Sequence, residues 1–163
     1  MKYLTLDGDR SELRRAWSAY EDYIESIKAK LPHELYEFAL SPWHHNHLDH
    51  RCLHDSWVEK VSIDEIGVGE RRQERSLEIS VSLLGAYHDG YTYLSYEEVV
   101  DYRLQKGKLS NQYRQAHGDW LIDEIRLSDE GNVIHEILFS NEATWIIECK
   151  NIKHSTDISA GAG

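Results

Sequence analysis

Cysteine occurs only twice in the chain, as Cys52 and Cys149, far apart and outside any C-x-x-C spacing. That argues against a disulfide framework and a cysteine zinc knuckle, and for two reduced, structural thiols. Long apolar runs are missing as well. None approaches the roughly 20 residues that span a bilayer, and the opening Met1-Lys2-Tyr3-Leu4-Thr5-Leu6-Asp7-Gly8-Asp9-Arg10 lacks the apolar core of a signal peptide. The expectation is a cytoplasmic protein with no membrane partner. A basic excess is also absent: 18 Lys and Arg stand against 29 Asp and Glu, a net charge of −11. Such a field repels nucleic acid and anionic membranes and attracts a basic protein partner. No H-E-x-x-H, Gly-x-Ser-x-Gly elbow, phosphate-cradling glycine loop or internal repeat occurs.

What is present is an ordinary globular composition, 40% hydrophobic and 29% charged, in a chain long enough to bury roughly 68–70% of its unfolded surface in one core. After Ser11, taken as the N-cap, Leu13, Trp17, Tyr20, Ile24, Ile27 and Leu31 recur at helical spacing. Pro32 interrupts them. Residues 33–40 form a second short helix with Leu35, Phe38 and Ala39 inward, closed by Ser41-Pro42.

From residue 57 the period falls to two. Trp57, Glu59, Val61 and Ile63 mark one face of a first strand, and Leu77, Ile79, Val81 and Leu83 a second. His88-Asp89-Gly90 predicts a tight Asp-Gly hairpin returning through residues 91–96. No structure is assigned to residues 97–117. Strands over 120–127, 133–140 and 144–152, joined by short turns, make an antiparallel meander. The fold predicted is α+β: an antiparallel sheet of five to six strands with two N-terminal helices packed on one face. It forms a single domain over residues 1–153, divided into a helical part (11–40), a connector (41–55) and a β part (56–153), with 154–163 as a disordered tail.

The connector holds the side chains most suggestive of chemistry. His44, His45, His47, His50 and His54 place five of the ten histidines in eleven positions. Neutral imidazole is a ligand for zinc or another divalent transition metal, so His45, His47, His50 and His54 are the candidate metal residues, with Asp49, Asp55 or Cys52 to complete a shell. A hydrolytic use of such a metal needs a base, for which Glu34 and Glu136 are available. His54-Asp55 has the dipeptide of the HD phosphohydrolases but precedes a strand, where Asp55 is better read as a turn acceptor. Cys52 as a nucleophile has only Arg51 and His54 beside it. Asp119, Asp123, Glu124 and Glu136 could pair for acid–base work, and otherwise form the solvated face of the meander. The contrasting function is binding without catalysis and without a cofactor. Ten tyrosines and five tryptophans in an acidic chain supply interface anchors, and Tyr87, Asp89, Tyr91 and Tyr93 around the hairpin are the candidate binding residues. A dimer through an exposed sheet edge is a further possibility.

Leu53-His54-Asp55-Ser56-Trp57-Val58, followed by Leu77-Glu78-Ile79-Ser80-Val81, resembles small bacterial proteins grouped with the immunity proteins of polymorphic toxin systems. Gly118-Asp119-Trp120-Leu121-Ile122-Asp123-Glu124 with His135-Glu136-Ile137-Leu138-Phe139 extends the resemblance through the β half. It implies an acidic single-domain binder that blocks a basic protein toxin, without a shared set of catalytic residues. The dense histidine segment departs from that pattern.

Overall fold

The computed structural model describes residues 1–107 and 116–158. Helix α1 spans Arg10–Ile27 and α2 spans His33–Ala39. The N-cap of α1 is Asp9, not Ser11. Its carboxylate accepts from the Ser11 and Glu12 backbone N–H groups while the Glu12 carboxylate accepts from the Asp9 N–H, and this reciprocal capping box satisfies more of the orphan donors than a lone serine would. Tyr20, Ile24, Ile27, Leu31, Leu35, Phe38 and Ala39 are buried, as the helical spacing predicts.

Among the described residues, eight strands form two four-stranded antiparallel sheets rather than one sheet of five or six. The first contains β1 (Trp57–Val68), β2 (Glu74–Leu84), β3 (Tyr91–Glu97) and β8 (Asn151–Thr156), in the order β1-β2-β3-β8. The second contains β4 (Asp101–Gln105), β7 (Thr144–Cys149), β6 (Val133–Phe139) and β5 (Trp120–Leu127), in the order β4-β7-β6-β5. The β5-β6-β7 meander is as expected. The extra strands arise because one long ribbon belongs to both sheets. β3 pairs with β8, β4 pairs with β7, and both chains turn the corner together at Glu98 and Lys150. Glu97 faces Asn151 and Asp101 faces Glu148, so four steps on one chain oppose three on the other. The surplus residue bends the ribbon as a bulge does, with Glu98 at a positive φ of 49°. Lys150 N–H to Glu97 O (3.0 Å) and Val100 N–H to Glu148 O (2.8 Å) hold the corner.

Three local expectations change. A register shift between Val58 and Lys60 makes Glu59 a surplus residue, so Val58, opposite Leu83, joins Val61 and Ile63 on the core side while Trp57 turns outward opposite Leu84. The β2–β3 hairpin forms, but through a wider loop closed by Gly85 N–H to Gly90 O (3.0 Å), with His88 at positive φ. Two of its residues, Tyr87 and Asp89, bond the histidine segment. Residues 154–158, expected in a disordered tail, are ordered: 154–156 complete β8, and Ile158 is buried. Residues 159–163, and residues 108–115 of the unassigned stretch, lie outside the described residues.

α1 runs beside the open edge of β5. Ile125 N–H donates to the Tyr20 hydroxyl (2.8 Å) and Leu127 N–H to the Tyr23 hydroxyl (2.9 Å). Two edge groups that would otherwise seek another strand are thereby satisfied. The N-terminal segment docks nearby: the buried Glu124 carboxylate accepts from the backbone N–H groups of Lys2, Tyr3 and Leu4 at 2.7–2.9 Å. No described helix is long and apolar enough to cross a membrane.

Candidate functional site

Residues 43–55 form no helix or strand. They descend through consecutive tight turns, His44 N–H to Ser41 O, Asn46 N–H to Trp43 O, Asp49 N–H to Asn46 O and Cys52 N–H to Asp49 O. Asn46 and Asp49 side chains accept from the backbone two residues on, the Asx geometry that favours turns over helix. The positions of the histidines are therefore set turn by turn instead of by one helical face.

His44 enters the core between the two layers. Its Nε2 lies 3.0 Å from both Asp123 oxygens, and its Nδ1 donates to the Phe38 carbonyl at 3.0 Å. Asp123 also accepts from His135 Nε2 (3.0 Å) and Trp120 Nε1 (3.0 Å), and His135 Nδ1 meets the Tyr96 hydroxyl at 2.9 Å. His44, Asp123 and His135 are 2%, 3% and 0% exposed. Burial pushes the Asp123 carboxyl upward, but the His44 charge and the His135 and His44 hydrogen bonds outweigh it and hold the group well below the carboxylate range. Burial likewise opposes the charged form of His44, and the Asp123 carboxylate overcomes it, leaving its pKa raised. A register shift between Trp120 and Ile122 leaves Leu121 surplus and sets Trp120 opposite Phe139 of β6. The buried Trp120 indole thereby shares the inward side with Asp123.

The other histidines sit around this network. His45 lies between Trp17 (ring centroids 4.0 Å) and His44 (4.2 Å); burial and the neighbouring His44 charge lower its pKa to about 3. His154, stacked on Trp43 and tilted against Phe38, is lowered to about 4 by burial and then by His44 and Arg51. His47 and His54 rings touch edge to face at 4.2 Å. A cavity of about 220 Å³ is lined by His44, His45, His47, His54, Trp17 and Trp120 among others. Among the described residues His45 Nε2 has no hydrogen-bond partner, and His54 Nδ1, although 3.1 Å from the Asp55 carboxylate, makes no aligned hydrogen bond. His50 lies apart: its Nδ1 bonds Asp89 at 2.5 Å and its ring stacks on Tyr87 at 3.8 Å. Of the four candidate ligands, three share a cavity and His50 does not. No three His, Cys, Asp or Glu side chains converge to hold a metal ion among the described residues.

Glu34 is exposed in the first turn of α2, and the other chemical candidates have structural partners. The Cys52 thiol is buried, donates to the His44 carbonyl at 3.2 Å and is raised by burial to about 11, which keeps it an unreactive thiol. Glu136 bonds the Met1 amino group and Arg126, and Asp119 accepts from Trp57 Nε1 and Ser140 Oγ. Asp123 was expected on a solvated face. It is instead the centre of the buried network, because it shares the inward side of β5 with Ile125, whose partner across the ladder is His135. An acidic residue at the parity of that isoleucine is the signal that strand alternation alone offered.

The four binding candidates divide into two pairs. Tyr87 and Asp89 are committed to the connector, with the Tyr87 hydroxyl donating to the His47 carbonyl at 3.1 Å. Tyr91 and Tyr93 project from the outer face of the first sheet, 37% and 41% exposed, with rings 6.2 Å apart and inclined at 28°. The register places Ser62, Ser80, Ser95 and Lys153 in one row across that face, and Lys60, Ser82, Tyr93 and Ser155 in the next. Asp64 and Glu78 follow on the other side of the serine row. No protein-family model, curated protein or solved structure matches this chain.

Proposed function

We propose that this chain is a non-enzymatic binding protein that recognises a basic protein through the outer face of its first sheet, in the manner of an immunity protein neutralising a toxin. The observation that carries this reading is the exposed Tyr91–Tyr93 pair on a face rich in serines and carboxylates. Tyrosine supplies rigid contact area at low entropic cost, and serine supplies adaptable hydrogen bonding, the pairing found in antibody paratopes. The net charge of −11 steers a basic partner toward such a surface and sets its on-rate more than its final affinity. The polar centre of the molecule also favours binding over catalysis: Asp123 has three donors and His44 two acceptors, so these groups are occupied in holding the two layers together.

The test is calorimetric titration of the purified protein with the basic domain encoded by a neighbouring gene. Micromolar or tighter binding is expected, weakening with salt. Replacing Tyr91 and Tyr93 together by Ala should cost about 2 kcal/mol or more of binding energy, the scale of an interface hot spot, with the thermal midpoint unchanged. Absence of binding, or full affinity in the double variant, would overturn the reading.

A further inference from the structure

The exposed strand edges of this fold are not alike. β5 is closed by the Tyr20 and Tyr23 hydroxyls. β8 is six residues long and packs against α2, and β4 has only five residues. β1 runs for twelve residues, none of them buried. A single bridge, Trp57 to Asp119, joins its start to the second sheet, and beyond that point its only pairing strand among the described residues is β2. Its first residues lie within the sheet, whereas residues 64–68 and 74–78 extend past the β2–β3 ladder as a two-stranded ribbon.

Two features of this edge describe what is missing beside it. On the core side, Ile63 pairs with the fully buried Ile79 yet is itself 43% exposed, because no described strand covers its other flank. On the outer side, Asp64 stands directly opposite Glu78. Like charges in that position repel. Of the cations on that face, Lys60 lies beyond the serine row, and Lys153 is two strands from Glu78 and already bonded to Glu97.

We propose that β1 is the docking edge for an extended segment of the basic partner, which adds as a further strand with an apolar side chain beside Ile63 and a Lys or Arg beside Asp64. This is β-strand addition, in which main-chain bonds give affinity and alternate side chains give specificity. The alternation follows from the strand's period of two: one face of the incoming segment meets Val61 and Ile63, and the other meets Ser62 and Asp64. A second copy of this chain is disfavoured as the occupant because each copy carries a net charge of −11, and like-charged molecules repel on approach. The inference rests on the basic-partner reading and adds the shape and sequence pattern of the segment. The edge adjoins the tyrosine face, because Trp57, Leu84 and Tyr91 lie in one row across β1, β2 and β3.

The probe is a synthetic peptide of about ten residues, a typical strand length, alternating lysine with valine; its control alternates glutamate with valine. Hydrogen exchange of the intact protein is expected to slow at residues 59–68 with the lysine peptide and to stay unchanged with the glutamate peptide. Asp64→Lys relieves the Asp64/Glu78 repulsion, so the variant should remain folded while binding the lysine peptide about tenfold more weakly. No protection at residues 59–68, equal protection by both peptides, or protection that rises with protein concentration alone would each overturn the proposal. A basic protein that binds through Tyr91 and Tyr93 and leaves residues 59–68 unprotected would remove this inference while leaving the binding reading intact.

Discussion

His44 presents a hydrogen atom to Asp123 from Nε2 and another to the Phe38 carbonyl from Nδ1, each across 3.0 Å. Asp123 is ionised and a carbonyl cannot donate, so both ring nitrogens carry protons and the ring is an imidazolium facing a carboxylate. For His135 a single ring hydrogen on Nε2 is enough, because the Tyr96 hydroxyl can donate to Nδ1. The connector is thus fastened to β5 by an ion pair, β5 to β6 by a hydrogen bond from His135, and β6 to β3 through Tyr96. One carboxylate links the helical layer to both sheets.

Asp123→Asn keeps the shape of that link and removes its charge. It leaves the buried His44 without a counter-ion, and breaking one partner of a buried pair costs about 3–5 kcal/mol. The expected result is a loss of that size in urea unfolding. A loss below about 1 kcal/mol, within the range of exposed ion pairs, would mean that the network contributes little.

The histidines around the network make stability depend on pH in opposed directions. His45 and His154 are lowered, to about 3 and about 4, so the unfolded chain binds more protons than the folded one below its own histidine pKa of about 6.5. Their contribution is present above that value and is lost as pH falls toward 4. His44 is raised, so its contribution is complete below the same value and is lost only as pH rises through its folded pKa. His47 and His117 are lowered as well, so between about pH 6 and 5 the lowered histidines outnumber the one raised, and stability should fall with pH, each proton taken up on unfolding adding a slope of up to about 1.4 kcal/mol per pH unit. His154→Phe should flatten the slope in urea unfolding across this window; an unchanged slope would show that His154 titrates normally.

How much of this was legible beforehand differs between elements. The helical faces were, because Tyr20, Ile24 and Ile27 recur with the period of a helix that buries one side. The ribbon that bends between two sheets was not. The alternation slips there, from Tyr96 to Val99 and from Cys149 to Ile152, but a slip does not tell a bend from a strand end, and the positive φ falls at Glu98, a residue type that does not announce such a conformation. The histidine segment stood out by composition, but its centre did not. Pairing His44 with Asp123 spans 79 residues and depends on the order of the turns between Ser41 and Cys52, which period-based reasoning does not reach.

Zinc offers a direct check on the cavity. His45 Nε2 and His54 Nδ1 are without an aligned hydrogen bond there, but no third ligand converges with them among the described residues, and structural zinc sites need four. Ordered water is the simpler partner for two imidazoles in a cavity of about 220 Å³. Protein purified without an affinity tag should contain no stoichiometric zinc, and added zinc should leave the thermal midpoint in place. Stoichiometric metal that is lost from a His45→Ala, His47→Ala variant would reverse this.

The contact between α1 and β5 predicts a cost that apolar packing does not. Tyr20 is buried and its hydroxyl is the acceptor for the Ile125 N–H. Tyr20→Phe preserves the ring and its edge contact with Trp17 but leaves a buried edge donor unsatisfied, worth about 1–3 kcal/mol. The same change at Tyr23, which is only half-buried and accepts from Leu127, should cost less because water can replace the hydroxyl. Hydrogen exchange separates this cause from a general loosening. The Ile125 amide alone should exchange faster in Tyr20→Phe, with Asp123 and Leu127 little changed, whereas equal acceleration along β5 would point to lost helix packing instead.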